Sequence, residues 1–152
     1  MKIRTELSQN GEEEIIIRCQ SRTDKIKEME AALEKLILTN QEMVLFLSGT
    51  EYYVPIDEIL FFESCDGKVY AHTRERMFTS DYKLFELEGI LPISFLRISK
   101  STIANILLIS SLKREVVGNG EITFRGSEKK AYFSRGYFKL LRDKINEMRL
   151  GR

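Results

Sequence analysis

From residue 43 onward the chain is a series of short β-branched and aromatic runs punctuated by glycine-bearing turns, and that rhythm admits little besides hairpins. Val44 to Leu47 and Tyr52 to Pro55 flank Ser48-Gly49-Thr50-Glu51. Ile59 to Glu63 and Val69 to Thr73 flank Ser64-Cys65-Asp66-Gly67-Lys68, and Met77-Phe78-Thr79 suggests a further strand. A helix is expected from Ser80 or Asp81, with Leu84, Leu87 and Leu91 on one side and Pro92 ending it. Strands resume with Phe95 to Ile98 and Ile106 to Leu112. Val116-Val117 and Glu121 to Arg125 then flank Gly118-Asn119-Gly120, a strong hairpin signal. Ala131 to Phe133 makes a last strand. Ser134 is placed to cap a final helix whose Tyr137, Leu141, Ile145 and Met148 share a face.

Residues 1–42 follow a different pattern and read as a strand–strand–helix unit. Ile3, Thr5 and Leu7 alternate with Lys2, Arg4 and Glu6, the period of a half-buried strand. Gln9-Asn10-Gly11 signals a turn, Glu12-Glu13-Glu14 a solvated strand entry, and Glu14 to Cys19 a second strand. Thr23 can cap a helix carrying Ile26, Met29, Leu33, Leu36 and Ile37 on one face. That stripe must cover the strands or meet a second copy of the chain. Thr39-Asn40-Gln41-Glu42 is the candidate linker, which makes residues 43–152 the main domain.

Several function classes are hard to accommodate. The longest apolar runs are four or five residues, such as Met43 to Leu47, against the roughly 20 of a spanning helix. The first residues lack the apolar core of a secretory signal. Cys19 and Cys65 are too few for a disulfide scaffold or a zinc site and read as reduced thiols of a cytoplasmic protein. The lone histidine, His72, sits in a strand with no nucleophile pattern pointing to it, and a structural or solvent-facing role is the simplest account. There is no metal-spaced acidic cluster, glycine-rich phosphate loop or cofactor motif, so neither an enzyme, a cofactor nor a small-molecule substrate is expected.

Charge is unevenly divided. Residues 97–152 carry 13 Lys and Arg against 5 Asp and Glu, while residues 1–96 carry 11 against 18. Halves of opposite sign suit a polyanion partner, or simply attract each other within one fold. Three stretches have the chemistry of a binding surface. Phe95 to Asn105 contains the polar knot Ser99-Lys100-Ser101-Thr102, whose hydroxyls and amine suit phosphate oxygens and guanine O6 and N7. Ser134-Arg135-Gly136-Tyr137 opens the last helix, where free backbone N–H groups favour an anion and Arg135 could fork onto a base edge. The turn Asp66-Gly67-Lys68 is the least specific, and a plain β-turn explains it equally well.

Taken together, these stretches resemble the LytTR family of bacterial DNA-binding domains over about residues 43–149. The family's I-x-x-I-x-y-I-E segment is matched by Ile56-Asp57-Glu58-Ile59-Leu60-Phe61-Phe62-Glu63. Its F-x-R-h-H-R-S-x-h-V-N segment is matched by Phe95 to Asn105, and its p-V-S-R-x-y segment by Phe133-Ser134-Arg135-Gly136-Tyr137. Ser99 stands where His is frequent, Lys100 where Arg or Asn is common, and Ala104 where Val is usual.

The resemblance implies an α+β, mostly β fold: an elongated antiparallel domain that enters DNA grooves with loops. It implies a sequence-specific transcriptional regulator that binds repeat elements in double-stranded DNA as a homodimer. Lys68, Arg97, Ser99, Lys100, Ser134, Arg135 and Tyr137 are the candidate contacts. Residues 1–42 are too few for a receiver domain. A stand-alone family member is therefore expected, with those residues serving dimerisation or docking to a small membrane-protein regulator. The competing expectation is a protein–protein interaction module with a basic C-terminal surface and no DNA target. A single-strand or RNA binder would need exposed aromatics, and Phe61, Phe62, Tyr70 and Phe78 read as core.

Overall fold

The run Ile59-Leu60-Phe61-Phe62 has no polar alternation, and its place in the fold explains why. In the computed structural model, which describes residues 1–7, 11, 14–39 and 41–150, this segment enters a strand with both faces covered. Leu60 and Phe61 belong to one hydrophobic core and Ile59 and Phe62 to another. A strand buried on both sides needs apolar residues at consecutive positions.

The elements follow one another as helix α1 (Asp24–Thr39), strands β1 (Glu42–Leu47), β2 (Thr50–Pro55), β3 (Phe61–Cys65), β4 (Lys68–His72) and β5 (Met77–Ser80), and helix α2 (Leu84–Ile90). Then come β6 (Phe95–Ser99), β7 (Thr102–Asn105), β8 (Ile109–Arg114), β9 (Gly120–Phe124), β10 (Lys130–Phe133) and helix α3 (Phe138–Leu150). Single 3-10 turns occupy Ile56–Glu58, Ile106–Leu108 and Arg135–Tyr137. The first seven strands form one antiparallel sheet in the order β2-β1-β5-β4-β3-β7-β6, and β10-β9-β8 form a second. The architecture is α+β and mostly β, as the turn rhythm implies.

Each face of the large sheet has its own cover. Leu84 and Leu87 of α2 pack on one face against Phe62, Val69, Ala71, Phe78 and Ile103. The small sheet and α3 close the other through Ile122, Phe124, Phe133 and Leu141 against Phe61, Ile98 and Ala104. Buried Asn105 locks the central strands: its side-chain amide donates to the Ile59 carbonyl at 3.1 Å, and its backbone N–H donates to the Leu60 carbonyl at 2.8 Å.

Four expectations need correction. Ile106–Leu108, expected to open a strand, is a 3-10 turn whose Leu107 N–H donates to Asn105 Oδ1 at 3.3 Å, and Val116 and Val117, expected as strand, lie exposed in the β8–β9 loop. The helix after β5 begins at Leu84, not near Ser80, because Ser80 pairs with Val69 as the last residue of β5. Its start is held by Glu86, whose carboxylate accepts from the Lys83 N–H at 3.1 Å. At the N-terminus, the described residues before α1 form no strand. Ile3 and Leu7 are 98% and 99% exposed, and Ile15 and Ile16 are also exposed. Alternation offers a face, but a strand forms only where a sheet edge or a core receives it. Gln9, Asn10, Glu12, Glu13 and Asn40, which belong to the expected turn, charge run and linker, lie outside the described residues. Helix α1 does form as expected. Thr23 Oγ accepts from the Ile26 N–H at 3.4 Å, and Ile26 is buried while Ile37 is exposed.

Candidate nucleic-acid interface

Strand direction decides which connections share an end of the molecule. β3 and β4 meet at Asp66-Gly67, where φ is +50° and +76°. A left-handed pair makes the tight hairpin turn whose twist matches the strands, and Gly67 takes its second position without strain. Lys68 opens β4 and is exposed. β6 and β7 meet at Lys100-Ser101, and the Ser64 N–H donates to the Ser101 carbonyl at 2.8 Å, so the two hairpin tips lie side by side.

The small sheet contributes to the same end. Ser134, just past β10, donates its N–H to the Ile98 carbonyl at 3.0 Å. The next residue, Arg135, donates its N–H to Asn119 Oδ1 at 3.1 Å, which brings in the β8–β9 loop. Three hydrogen bonds thus stitch four connections from two sheets into one rim. On it Lys68, Lys100 and Arg135 are exposed, and their cationic groups make no hydrogen bond or ion pair with another described residue.

The other four candidates sit differently. Arg97 is half-buried: its Nε donates to the Ser99 carbonyl at 2.8 Å, and its terminal nitrogens bind the Lys100 carbonyl and the Glu88 carboxylate. Ser99 is buried, with its Oγ accepting from the Ser101 N–H at 3.2 Å. Tyr137 is half-buried and lines a groove with Phe95, Leu96, Arg97 and Leu140. Ser134 departs from its expected chemistry: its hydroxyl makes no capping hydrogen bond. A 3-10 turn intervenes before α3, and the Arg135 N–H expected to be open to an anion is taken by Asn119.

Sequence reasoning missed the β8–β9 loop as part of this site. Gly118 has φ +100°, and a Cβ there would fall 2.6 Å from Arg135 Cδ. The Arg135 stem therefore lies across the glycine. Gly118-Asn119-Gly120 announces a hairpin, but nothing local says that the hairpin supports an arginine 17 residues later.

The end opposite this rim is also cationic. There Arg74 Nε donates to the Arg125 carbonyl at 2.9 Å and Lys129 Nζ to the Arg76 carbonyl at 2.6 Å. His72 belongs to that end of β4. Its Nε2 lies 2.7 Å from Glu63 Oε1 and its ring stacks on Phe61 at 4.3 Å. Burial holds its pKa below the ordinary value, against the pull of Glu63, and Lys129 adds to the lowering. Among the described residues no group of His, Cys, Asp and Glu could hold a metal ion, and no helix is long and apolar enough to cross a membrane.

The arrangement is a mostly antiparallel β domain with exposed cations at two hairpin tips and at the turn before α3. The LytTr DNA-binding domain family matches residues 49–146, and the chain belongs to that family. It is 30% identical over 104 residues to an uncharacterised HTH-type transcriptional regulator of Staphylococcus aureus strain bovine RF122 / ET3-1, covering 68% of this chain and 70% of the relative. The counterpart in strain NCTC 8325 / PS 47 is 28% identical over the same shares. A solved LytTr DNA-binding domain of a methyl-accepting/DNA response regulator from Bacillus cereus superposes with a TM-score of 0.64 at 23% identity. The superposition covers 70% of this chain and 97% of that one, and shows the same fold. The relatives are named for a helix-turn-helix, yet among the described residues of this chain no two α-helices are consecutive.

Proposed function

We propose that this chain is a sequence-specific bacterial transcriptional regulator that reads double-stranded DNA with hairpin tips and with the turn before α3. Lys100 and Arg135 supply the base-edge contacts and Lys68 a phosphate contact. The observation that carries this reading is the rim itself: three exposed cations with uncommitted charges, held in fixed relation by two backbone hydrogen bonds and one from the Arg135 N–H to the Asn119 side chain. A fork or an amine can discriminate guanine in the major groove, while an exposed lysine at a strand entry reaches the backbone. The relatives' description as transcriptional regulators supports the regulatory role. Such a protein works in the cytoplasm.

The test is selection of duplexes by the wild-type chain from a random-sequence pool, followed by anisotropy titration of the winning duplex against random duplex. Enrichment of a repeat-containing duplex whose binding is lost in Lys100→Glu and Arg135→Glu is the expected result. Binding indifferent to both substitutions rejects the site assignment.

Residues 1–42 are proposed to serve self-association or docking to a regulatory membrane protein. The exposed Ile15, Ile16 and Ile37 support this reading. Sedimentation of the full chain with and without Ile37→Glu tests the homodimer, which predicts a shift toward monomer.

A further inference from the structure

Arg97 stands among the exposed cations of the rim and is used differently from any of them. Each of its three guanidinium nitrogens has a partner within the chain. Nε donates to the Ser99 carbonyl at 2.8 Å, one terminal nitrogen donates to the Lys100 carbonyl, and the other pairs with Glu88 of α2. Ser99 and Lys100 are the residues that lead into and begin the β6–β7 tip. The strand ladder does not pin that tip by itself, because the register between β6 and β7 shifts between Arg97 and Ser99. A bulge of this kind re-aims the side chains that follow it. The planar guanidinium, bonded to two successive carbonyls, closes the gap the ladder leaves.

Glu88 in turn fixes which way the guanidinium faces. It lies on α2, whose Leu84 and Leu87 are buried in the core on one face of the large sheet. The Arg97 side chain is 23% exposed and the Glu88 side chain 48%, so the pair sits at the protein surface just behind the tip.

We propose that Arg97 is a positioning residue and not a DNA contact: oriented by Glu88, it holds the Lys100 hairpin in the geometry that reads DNA. The inference rests on the assignment of this rim to DNA. It leads to an outcome that simple electrostatics reverses. A carboxylate beside a DNA-binding rim repels phosphate, so its neutralisation raises affinity if Glu88 acts only through its charge. As an anchor for Arg97, Glu88 has the opposite effect, and its neutralisation lowers affinity for the cognate duplex.

The experiment uses the full chain and the duplex that the wild-type protein selects from a random pool, with random duplex as the reference. A wild-type chain that selects nothing removes the DNA assignment itself, before any variant is compared. Given a selected duplex, Glu88→Gln is expected to weaken its binding by about fivefold, the low end of what one misplaced base contact costs. Binding to random duplex should not weaken, because loss of the carboxylate only relieves repulsion of phosphate there. Arg97→Lys keeps the charge but loses the planar fork, and should lose a similar amount with an unchanged salt slope. In a Lys100→Ala background Glu88→Gln should have no further effect, because the anchor acts through that side chain. Tighter or unchanged binding by Glu88→Gln overturns the proposal. So does a salt slope that falls by about one in Arg97→Ala and is restored in Arg97→Lys, since that signature belongs to a phosphate contact.

Discussion

The two ends of the molecule carry the same sign of charge and use it in opposite ways. At the rim, Lys68, Lys100 and Arg135 project with uncommitted charges. At the far end, Arg74 and Lys129 donate to the carbonyls of Arg125 and Arg76, and Ser127 Oγ donates to the Arg74 carbonyl at 3.2 Å. Those bonds tie the β4–β5 connection of one sheet to the β9–β10 connection of the other. Burial also pushes the Lys129 ammonium below its ordinary pKa, against the attraction of Glu63. Lys130 is paired with Glu121 at 3.2 Å. Counting basic residues therefore overstates the interface, because part of the C-terminal excess holds the two sheets together. On the proposed reading, a binding end is marked by where its N–H donors point, not by how many it has.

This contrast can be broken or sharpened by substitution. The largest effect should come from Lys100→Glu combined with Arg135→Glu. Each base-reading contact is worth ~1–3 kcal/mol, so the double variant should lose all preference for a selected duplex over random DNA in an anisotropy competition. Gly118→Ala should come next. It forces a Cβ against Arg135 Cδ at 2.6 Å and a side chain onto φ +100°, which costs about 1 kcal/mol or more of stability and displaces the arginine. Denaturant melting and the same competition should show both losses together, and a loss of stability with binding intact would detach the loop from the site.

Lys68→Gln should act more mildly and without sequence preference, lowering the slope of log affinity against log salt by about one. Lys129→Met should leave that slope and the affinity unchanged while lowering the unfolding midpoint, since a hydrogen bond from a charged group contributes roughly 1.5–3 kcal/mol. An effect on DNA binding there would erase the distinction between the ends. The smallest effect concerns pH. The fold holds His72 below its ordinary value of 6.5, so protonation disfavours the folded state. Stability is complete above about pH 6.5 and declines as pH falls from there towards the folded pKa. His72→Gln should flatten that decline in thermal melts.

Much of the fold was legible because hairpin turns and alternating strands are local signals. The Asp66-Gly67 turn falls where the sequence puts it, the β8–β9 hairpin forms with its turn at Val116-Val117 instead of at Gly118-Asn119, and Leu84 and Leu87 bury the expected helix face. The N-terminal strands were not legible, since Ile3, Thr5 and Leu7 have the right period and no surface in the described chain to pack on. At the site, the three stretches singled out by chemistry do converge on one end. Within them sequence could not separate an outward lysine from an inward arginine. Lys100 and Arg97 are three residues apart, and only the carbonyls of Ser99 and Lys100, turned back by a bulge, show that Arg97 faces the protein. The Gly118 loop was invisible as a support because its partner, Arg135, reaches it only through tertiary packing.

The hydrogen bond between Ser134 and Ile98 has a consequence for how such a regulator can diversify. It couples Lys100, on a loop of one sheet, to Arg135, at the margin of the other, through backbone atoms that any residue provides. On the proposed reading, the step between the two cations is written into the main chain, while their preferences reside in replaceable side chains. Exchange of the residue at either tip would change the address without altering the stride, and new targets would keep the old spacing between the bases they offer.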